Sequence, residues 1–169
     1  MVGAWLSNYR RWLTLIRRVK NEQFAMSTKD IEQFTRRNVE AVNKGKAAVF
    51  AFMDEHYAPD IIIHGTFGEM RGLEDCKRLF SGMYDAFPDL HFTLDDEIVA
   101  GDKVAIRWTA TGTHKGTFMG APPTNKRIEA WVLEIDRFVN GKLAEYWARL
   151  DTLGFVQKLG VVPTPERKK

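Results

Sequence analysis

The chain has 169 residues, enough for one domain plus a tail and for a core that needs no disulfide or metal to hold it. With 44% hydrophobic and 28% charged residues its composition is that of an ordinary globular protein, which excludes disorder over most of its length, a collagen-like repeat and a coiled coil. The formal net charge of +3 is unevenly placed: Arg10, Arg11, Arg17, Arg18 and Lys20 face only Glu22 within residues 1–25, and the rest of the chain is slightly acidic. The body therefore has no field for collecting phosphates, and nucleic acid is excluded as its partner. The single cysteine, Cys76, excludes an internal disulfide and a cysteine-based zinc site, and it suits a reducing cytoplasm. No window approaches the roughly 18 apolar residues of a membrane span.

Residues 1–25 form a basic extension in which Trp5, Tyr9, Trp12, Leu13, Ile16 and Val19 fall at helical spacing. Two readings stay open for it. Either it is an amphipathic segment that touches an anionic membrane surface or targets the chain, or the natural start is Met26 and what precedes it is upstream read-through.

From Met26 the elements follow cleanly. Ser27 with Asp30 three residues on predicts a capping box, and Ile31, Phe34, Val39 and Val42 continue a helical face that ends at Asn43-Lys-Gly45. A second helix runs from Lys46 to about Tyr57, with Val49, Phe50, Phe52 and Met53 as its apolar side, and Pro59 stops it. Residues 60–64 are a short β-rich run. A third helix spans about residues 73–87, with Leu73, Cys76, Leu79, Phe80, Met83 and Phe87 inward, and Pro88 ends it.

The pattern then changes from helix to strand. Residues 91–99 and 103–114 flank a Gly101-Asp102 turn, and residues 128–139 and 142–151 flank Asn140-Gly141, the strongest short hairpin signal available. Between the hairpins, Gly116 to Thr124 is too rich in Gly and Pro for a regular element. A last helix covers residues 153–160, and residues 163–169 are a polar tail. The domain proper is residues 26–162, and helices followed by a meander of long strands make it α+β.

A regular two-residue turn at Asn140-Gly141 would pair Asp136 with Glu145, Glu134 with Trp147 and Ala130 with Asp151. The acidic face would then be solvated near the turn, while Trp131, Leu133, Ile135, Tyr146, Ala148 and Leu150 would form the core face. A β-bulge between Tyr146 and Asp151 would turn Asp151 inward.

Four motifs occur in order: Tyr57-Ala-Pro-Asp-Ile-Ile-Ile-His64, Ala86-Phe-Pro-Asp-Leu90, Gly112-Thr-His-Lys-Gly116 with Pro122-Pro123, and Asn140-Gly-Lys-Leu-Ala-Glu-Tyr-Trp147 followed by Asp151. Together they resemble the SnoaL-like polyketide cyclases, or ester cyclases, of the nuclear transport factor 2-like superfamily. The resemblance covers about residues 28–160. It implies a cone-shaped α+β fold, N-terminal helices packed on a curved antiparallel sheet, and a pocket between them. It also implies an intramolecular aldol-type ring closure on a hydrophobic, oxygenated small molecule such as a polyketide methyl ester, with no metal or organic cofactor. A homodimer or higher homo-oligomer in the cytoplasm is expected. A non-catalytic small-molecule-binding domain, and an isomerase or epoxide hydrolase on the same scaffold, are the alternatives.

By the same resemblance Asp151 is the acid/base residue and His114 a second catalytic group, while His64, Trp108, Trp147 and Arg149 bind substrate. The physical requirement is a carboxylate lifted from about 3.9 toward neutrality by apolar surroundings. Leu150, Leu153 and Phe155 offer these to Asp151. Arg149 either depresses that carboxyl or holds a substrate oxygen as the enolate forms. The plainer reading of Asp151 is a helix cap.

Overall fold

A computed structural model describes residues 26–66 and 68–163; the basic extension and the end of the polar tail lie outside the described residues. Helix α1 (Thr28–Asn43) opens with the expected capping box: the Asp30 N–H donates to Ser27 Oγ at 3.2 Å, and the Ser27 N–H donates to Asp30 Oδ2 at 2.9 Å. Helix α2 (Lys46–His56) follows after Gly45, and strand β1 (Tyr57–Gly65) begins at once. The strand thus starts three residues ahead of the sequence reading. Pro59 lies in the stretch of β1, between Tyr57 and Ile62, where pairing is irregular and its missing N–H costs no ladder bond. Strand β2 (Gly68–Arg71), four residues without apolar alternation, has no counterpart in the sequence reading. Helix α3 (Leu73–Ala86) crosses back over the sheet.

The remaining strands are β3 (His91–Ala100), β4 (Lys103–Thr113), β5 (Arg127–Val139) and β6 (Lys142–Leu150), before helix α4 (Thr152–Leu159). They form one six-stranded sheet in the order β2-β1-β6-β5-β4-β3. All neighbours are antiparallel except β1 and β6, which run parallel, so the expected meander ends on a parallel strand. No helix among the described residues is long and apolar enough to cross a membrane.

The β5–β6 hairpin decides which side chains face the helices. Asn140 and Gly141 both have positive φ, 51° and 76°, as a two-residue hairpin turn of the right twist demands. Val139 pairs with Lys142 and Phe138 with Leu143, but Arg137 pairs with Glu145. Ala144 is left without a partner. This bulge reverses the parity of everything beyond it, so Asp136 lies opposite Tyr146, Glu134 opposite Ala148 and Val132 opposite Leu150.

The regular register set out above is therefore corrected. The face bearing Ala130, Val132, Glu134, Asp136 and Phe138 is the concave one, and Trp131, Leu133 and Ile135 stand on the outer face, 49%, 49% and 44% exposed. The bulge lies before Tyr146, not after it. Across the concave face, Ile31, Phe34 and Val42 of α1, Val49 and Met53 of α2 and Cys76 of α3 pack on Ile61, Ile63, Val104, Ile106, Trp108, Leu143 and Tyr146. A second apolar cluster joins Ala86, Phe87 and Leu90 to Ile128, Ala130, Phe155 and Leu159 at the α4 end.

The Gly/Pro loop is fastened to this end by the N–H groups of Lys115 and Gly116, which both donate to the Ala86 carbonyl, at 2.9 and 3.1 Å. A Cβ at Gly116 would run into the Asp85 backbone carbonyl. Gly116→Ala should therefore lower stability by about 1–3 kcal/mol, the usual cost of overpacking, read as a drop in the urea midpoint at constant slope.

Candidate functional site

Between α1, α3 and the concave face lies a chamber with two lobes. The wider lobe has a volume of about 260 Å³ and is lined by Ile63, Met70, Leu79, Phe80, Met83, Phe92, Phe118, Val132, Ala148 and Leu150, with the turn from β1 to β2 at its rim. The inner lobe, about 40 Å³, lies against Asn38, Val39, Val42, Tyr57 and Trp108. Phe80, Phe92, Glu134 and Tyr146 line both. The chamber exists because α3 places Leu79, Phe80 and Met83 on one helical face while β5 and β6 present mostly small and mid-sized apolar residues opposite.

One group stands out in this apolar wall. Glu134 of β5 borders both lobes, and Asp136, two residues on and on the same face, sits behind it, 1% exposed. Neither Asp136 oxygen has a donor among the described residues. The two carboxyls are near neighbours, and the Trp108 indole lies beside Glu134 in the same wall. Burial raises the pKa of both. For Glu134 the contacts with Asp136 and Trp108 pull partly the other way, whereas for Asp136 the neighbouring Glu134 pushes further up, well above the usual range. Nearby, the Tyr57 hydroxyl donates to Asn38 Oδ1 at 3.3 Å, and Cys76 touches Tyr146.

Of the residues expected from the sequence, Trp108 lies in this wall, 4% exposed, between Glu134 and Phe92. The structure does not bring the others to it. Asp151 is exposed and is the N-cap of α4, its Oδ1 accepting from the Gly154 N–H at 3.0 Å; β6 has ended at Leu150, so no strand directs it inward. His114 is fully buried but lies behind the wall. It stacks on Phe87, which meets Phe118 edge-on, and the Thr124 N–H donates to its Nδ1 at 3.3 Å, while Nε2 has no partner among the described residues.

His64, Trp147 and Arg149 belong to the outer face, where the bulge sends the odd-numbered residues of β6. His64 stacks on Trp147 with ring centroids 5.0 Å apart, and its Nε2 is 2.8 Å from Glu145 Oε1. The Arg149 guanidinium donates to the carbonyls of His64 and Ala148, tying β6 to β1. Glu134 and Asp136 escape the sequence reading because a regular turn register assigns both acids to a solvated face, whereas Tyr146 is expected on the core face. The available signal was the apolar pair Leu143 and Tyr146: both can be inward only if the strand carries an extra residue between them.

Comparison with known proteins agrees with this architecture. The family model of the SnoaL-like polyketide cyclases matches residues 32–159. The chain belongs to that family, whose nuclear transport factor 2-like fold it has. Among curated relatives, the aklanonic acid methyl ester cyclase DnrD of Streptomyces peucetius is 31% identical over 78% of this chain and 92% of its own length. The aklanonic acid methyl ester cyclase DauD of Streptomyces sp. (strain C5) is 30% identical over 78% of this chain and 83% of its own. Among solved structures, AclR of Streptomyces galilaeus superimposes with a TM-score of 0.72 at 31% identity, covering 81% of this chain and 100% of that one. TsrD of Streptomyces laurentii gives 0.73 at 26%, covering 81% and 99%.

The position of Asp151 yields a direct check. As an N-cap, its replacement in Asp151→Ala should cost about 1 kcal/mol of stability, measured by chemical denaturation, with little change in Asp151→Ser, which can still cap.

Proposed function

We propose that the protein is a cyclase of the lyase or isomerase type that closes a carbon ring in a polyketide ester by acid/base chemistry requiring no cofactor. One observation carries the reading: an apolar chamber whose wall is interrupted by a carboxyl group. The relatives DnrD and DauD, named for aklanonic acid methyl ester, make a polyketide methyl ester the first substrate class to examine.

Such a substrate has a carbon-bound proton acidified by neighbouring carbonyls. A wall of Phe80, Phe92, Val132 and Leu150 excludes water from the enolate and holds the chain folded, with the nucleophilic carbon near the ketone it attacks. The Asp151 acid/base role implied by the family resemblance is tested in the same assay. Asp151→Asn should leave turnover near that of the wild type if the chemistry belongs to the chamber, and should lower it by roughly 10² to 10⁴ if Asp151 is the base.

The chamber itself is tested by filling it. Ala148 lies opposite Glu134 and lines the wider lobe. Ala148→Phe should reduce conversion of a panel of polyketide methyl esters by roughly 10² or more, with an unchanged circular dichroism spectrum. Binding of panel members with no conversion by the wild type would make the protein a small-molecule-binding domain instead.

The reading extends to a homodimer in the cytoplasm. Its support is the outer face of the sheet, where Trp131, Leu133 and Ile135 form an exposed apolar row on β5 and Ile98 of β3 is 67% exposed. Sedimentation should show a dimer at tens of micromolar, and Trp131→Glu with Leu133→Glu should shift it to monomer; a wild-type monomer would remove this part of the reading.

A further inference from the structure

We propose that Glu134 is the acid/base residue of the chamber and that Asp136 is its positioning partner, the two carboxyls sharing one proton. The proposal rests on the reading of the chamber as the catalytic site. Residues two apart on a strand point to the same side, so β5 sets the carboxyls next to each other as a matter of backbone geometry. Glu134 reaches both lobes; Asp136 does not border either, and both its oxygens are buried without a donor among the described residues. An ionised carboxylate in that position would lose its hydration with nothing in return. A protonated one can donate to Glu134.

Among the described residues, the surroundings leave the proton as the only counter-charge. Facing the pair are Val104 and Trp108 from β4, Tyr146 from β6, Tyr57 from β1, Cys76 from α3 and Asn38 from α1. None is a cation. Lys77, beside Cys76, turns outward to Asp54 at 2.6 Å and Glu74 at 3.3 Å. Burial also raises the pKa of Tyr57, Tyr146 and Cys76, that of Cys76 to about 12, so these groups stay uncharged through the working range. Two adjacent carboxyls in such a place retain a proton between them. Asp136, deeper and without a donor among the described residues, keeps it; Glu134, which borders both lobes, is the ionised member.

The chemistry then balances within the chamber. The Glu134 carboxylate removes the carbon-bound proton, and the electron pair of that C–H bond becomes the enolate. The enolate carbon attacks the ketone, forming the new C–C bond and breaking the C=O π bond. The resulting alkoxide takes the proton back from Glu134. Nothing is oxidised or reduced, and Asp136 retains its proton throughout, holding Glu134 in line with the wider lobe.

The test uses the full chain and two isosteric variants. With polyketide methyl esters as probe, Glu134→Gln should reduce kcat by roughly 10² to 10⁴ with KM little changed. Asp136→Asn, whose amide N–H still donates to Glu134, should retain most of the activity. The pH profile separates positioning from mere structure. The wild-type rate should rise as Glu134 ionises and fall when the pair loses its second proton, and Asp136→Asn should lose the alkaline fall while keeping the acidic limb.

A second readout needs no substrate. Both folded-state pKa values lie above those of the unfolded chain, about 4, so folding retains a proton that the unfolded chain releases. Stability contributed by the neutral form is complete below that value and is lost as pH rises toward the folded pKa. Wild-type Tm should therefore fall from pH 5 to pH 8, and Asp136→Asn should flatten the fall. A protonated-carboxyl infrared band at pH 7, absent in Asp136→Asn, should accompany it. Conversion by the wild type together with undiminished kcat in Glu134→Gln overturns the catalytic assignment while leaving the cyclase reading intact. Absence of both the band and the Tm slope overturns the shared proton whether or not any ester is converted.

Discussion

The architecture of the site depends on a single unpaired residue, Ala144. Strand side chains alternate with a period of two, so one inserted residue exchanges the faces of everything on one side of it. Before the bulge Leu143 is buried; after it Tyr146, Ala148 and Leu150 are inward, and Glu145, Trp147 and Arg149 are outward. The outward set is put to use. Glu145 accepts from Arg137 at 2.7 and 2.9 Å and meets His64 at 2.8 Å, contacts with His64 and then Arg137 that hold its carboxyl below the usual range. Trp147 lies between His64 and the Lys103 ammonium, which stands 5.6 Å from its ring centre. These contacts bind β1, β6, β5 and β4 from the outside, at the place where the sheet has its one parallel pair.

On the inside, the same bulge brings polar groups where burial is costly. A stranded carboxylate costs several kcal/mol, far more than a neutral hydrogen-bonded acid. Tyr57 with Asn38, and Glu134 with Asp136, show buried polar groups set beside one another, and among the described residues no arginine or lysine is brought in to neutralise the carboxyl pair. Among the described residues the chamber wall thus carries no fixed positive charge. An enolate formed there gains no direct ion pair from the described residues, and the delocalisation within its own conjugated system carries the stabilisation.

Much of the fold was legible because local chemistry specifies it. Ser27 and Asp30 close a capping box whatever the helix packs against, and Asn140-Gly141 adopts positive φ at both residues in nearly any hairpin. The helical faces of α1 and α3 follow from spacing alone. The site was less legible because it depends on parity, which no local preference sets. Trp131, Leu133 and Ile135 look like core residues and Glu134 and Asp136 like surface ones, and only the long-range pairing reverses the two. Asp151 illustrates the opposite case: its capping bond to Gly154 is local, and the plainer of its two readings is the geometry observed. Strand β2, four residues held by pairing with β1, carries no pattern of its own.

The parallel pairing of β1 with β6 has a consequence for the order in which the molecule is made. Ile63 must wait for Tyr146, and His64 for Trp147, near the other end of the chain. During synthesis α1, α2, β1 and α3 therefore emerge with Ile61, Ile63 and Cys76 unable to find the strand they pack beside. The antiparallel strands β3 to β6 can zip together from their turns, but the first strand can join them only at the last moment. Assembly of this kind, which joins distant segments late, is intrinsically slow and leaves apolar surface open meanwhile. Synthesis of β6 thus controls whether the helices and first strand made before it have anywhere to go, and a nascent chain stalled before β6 would be a client for chaperones.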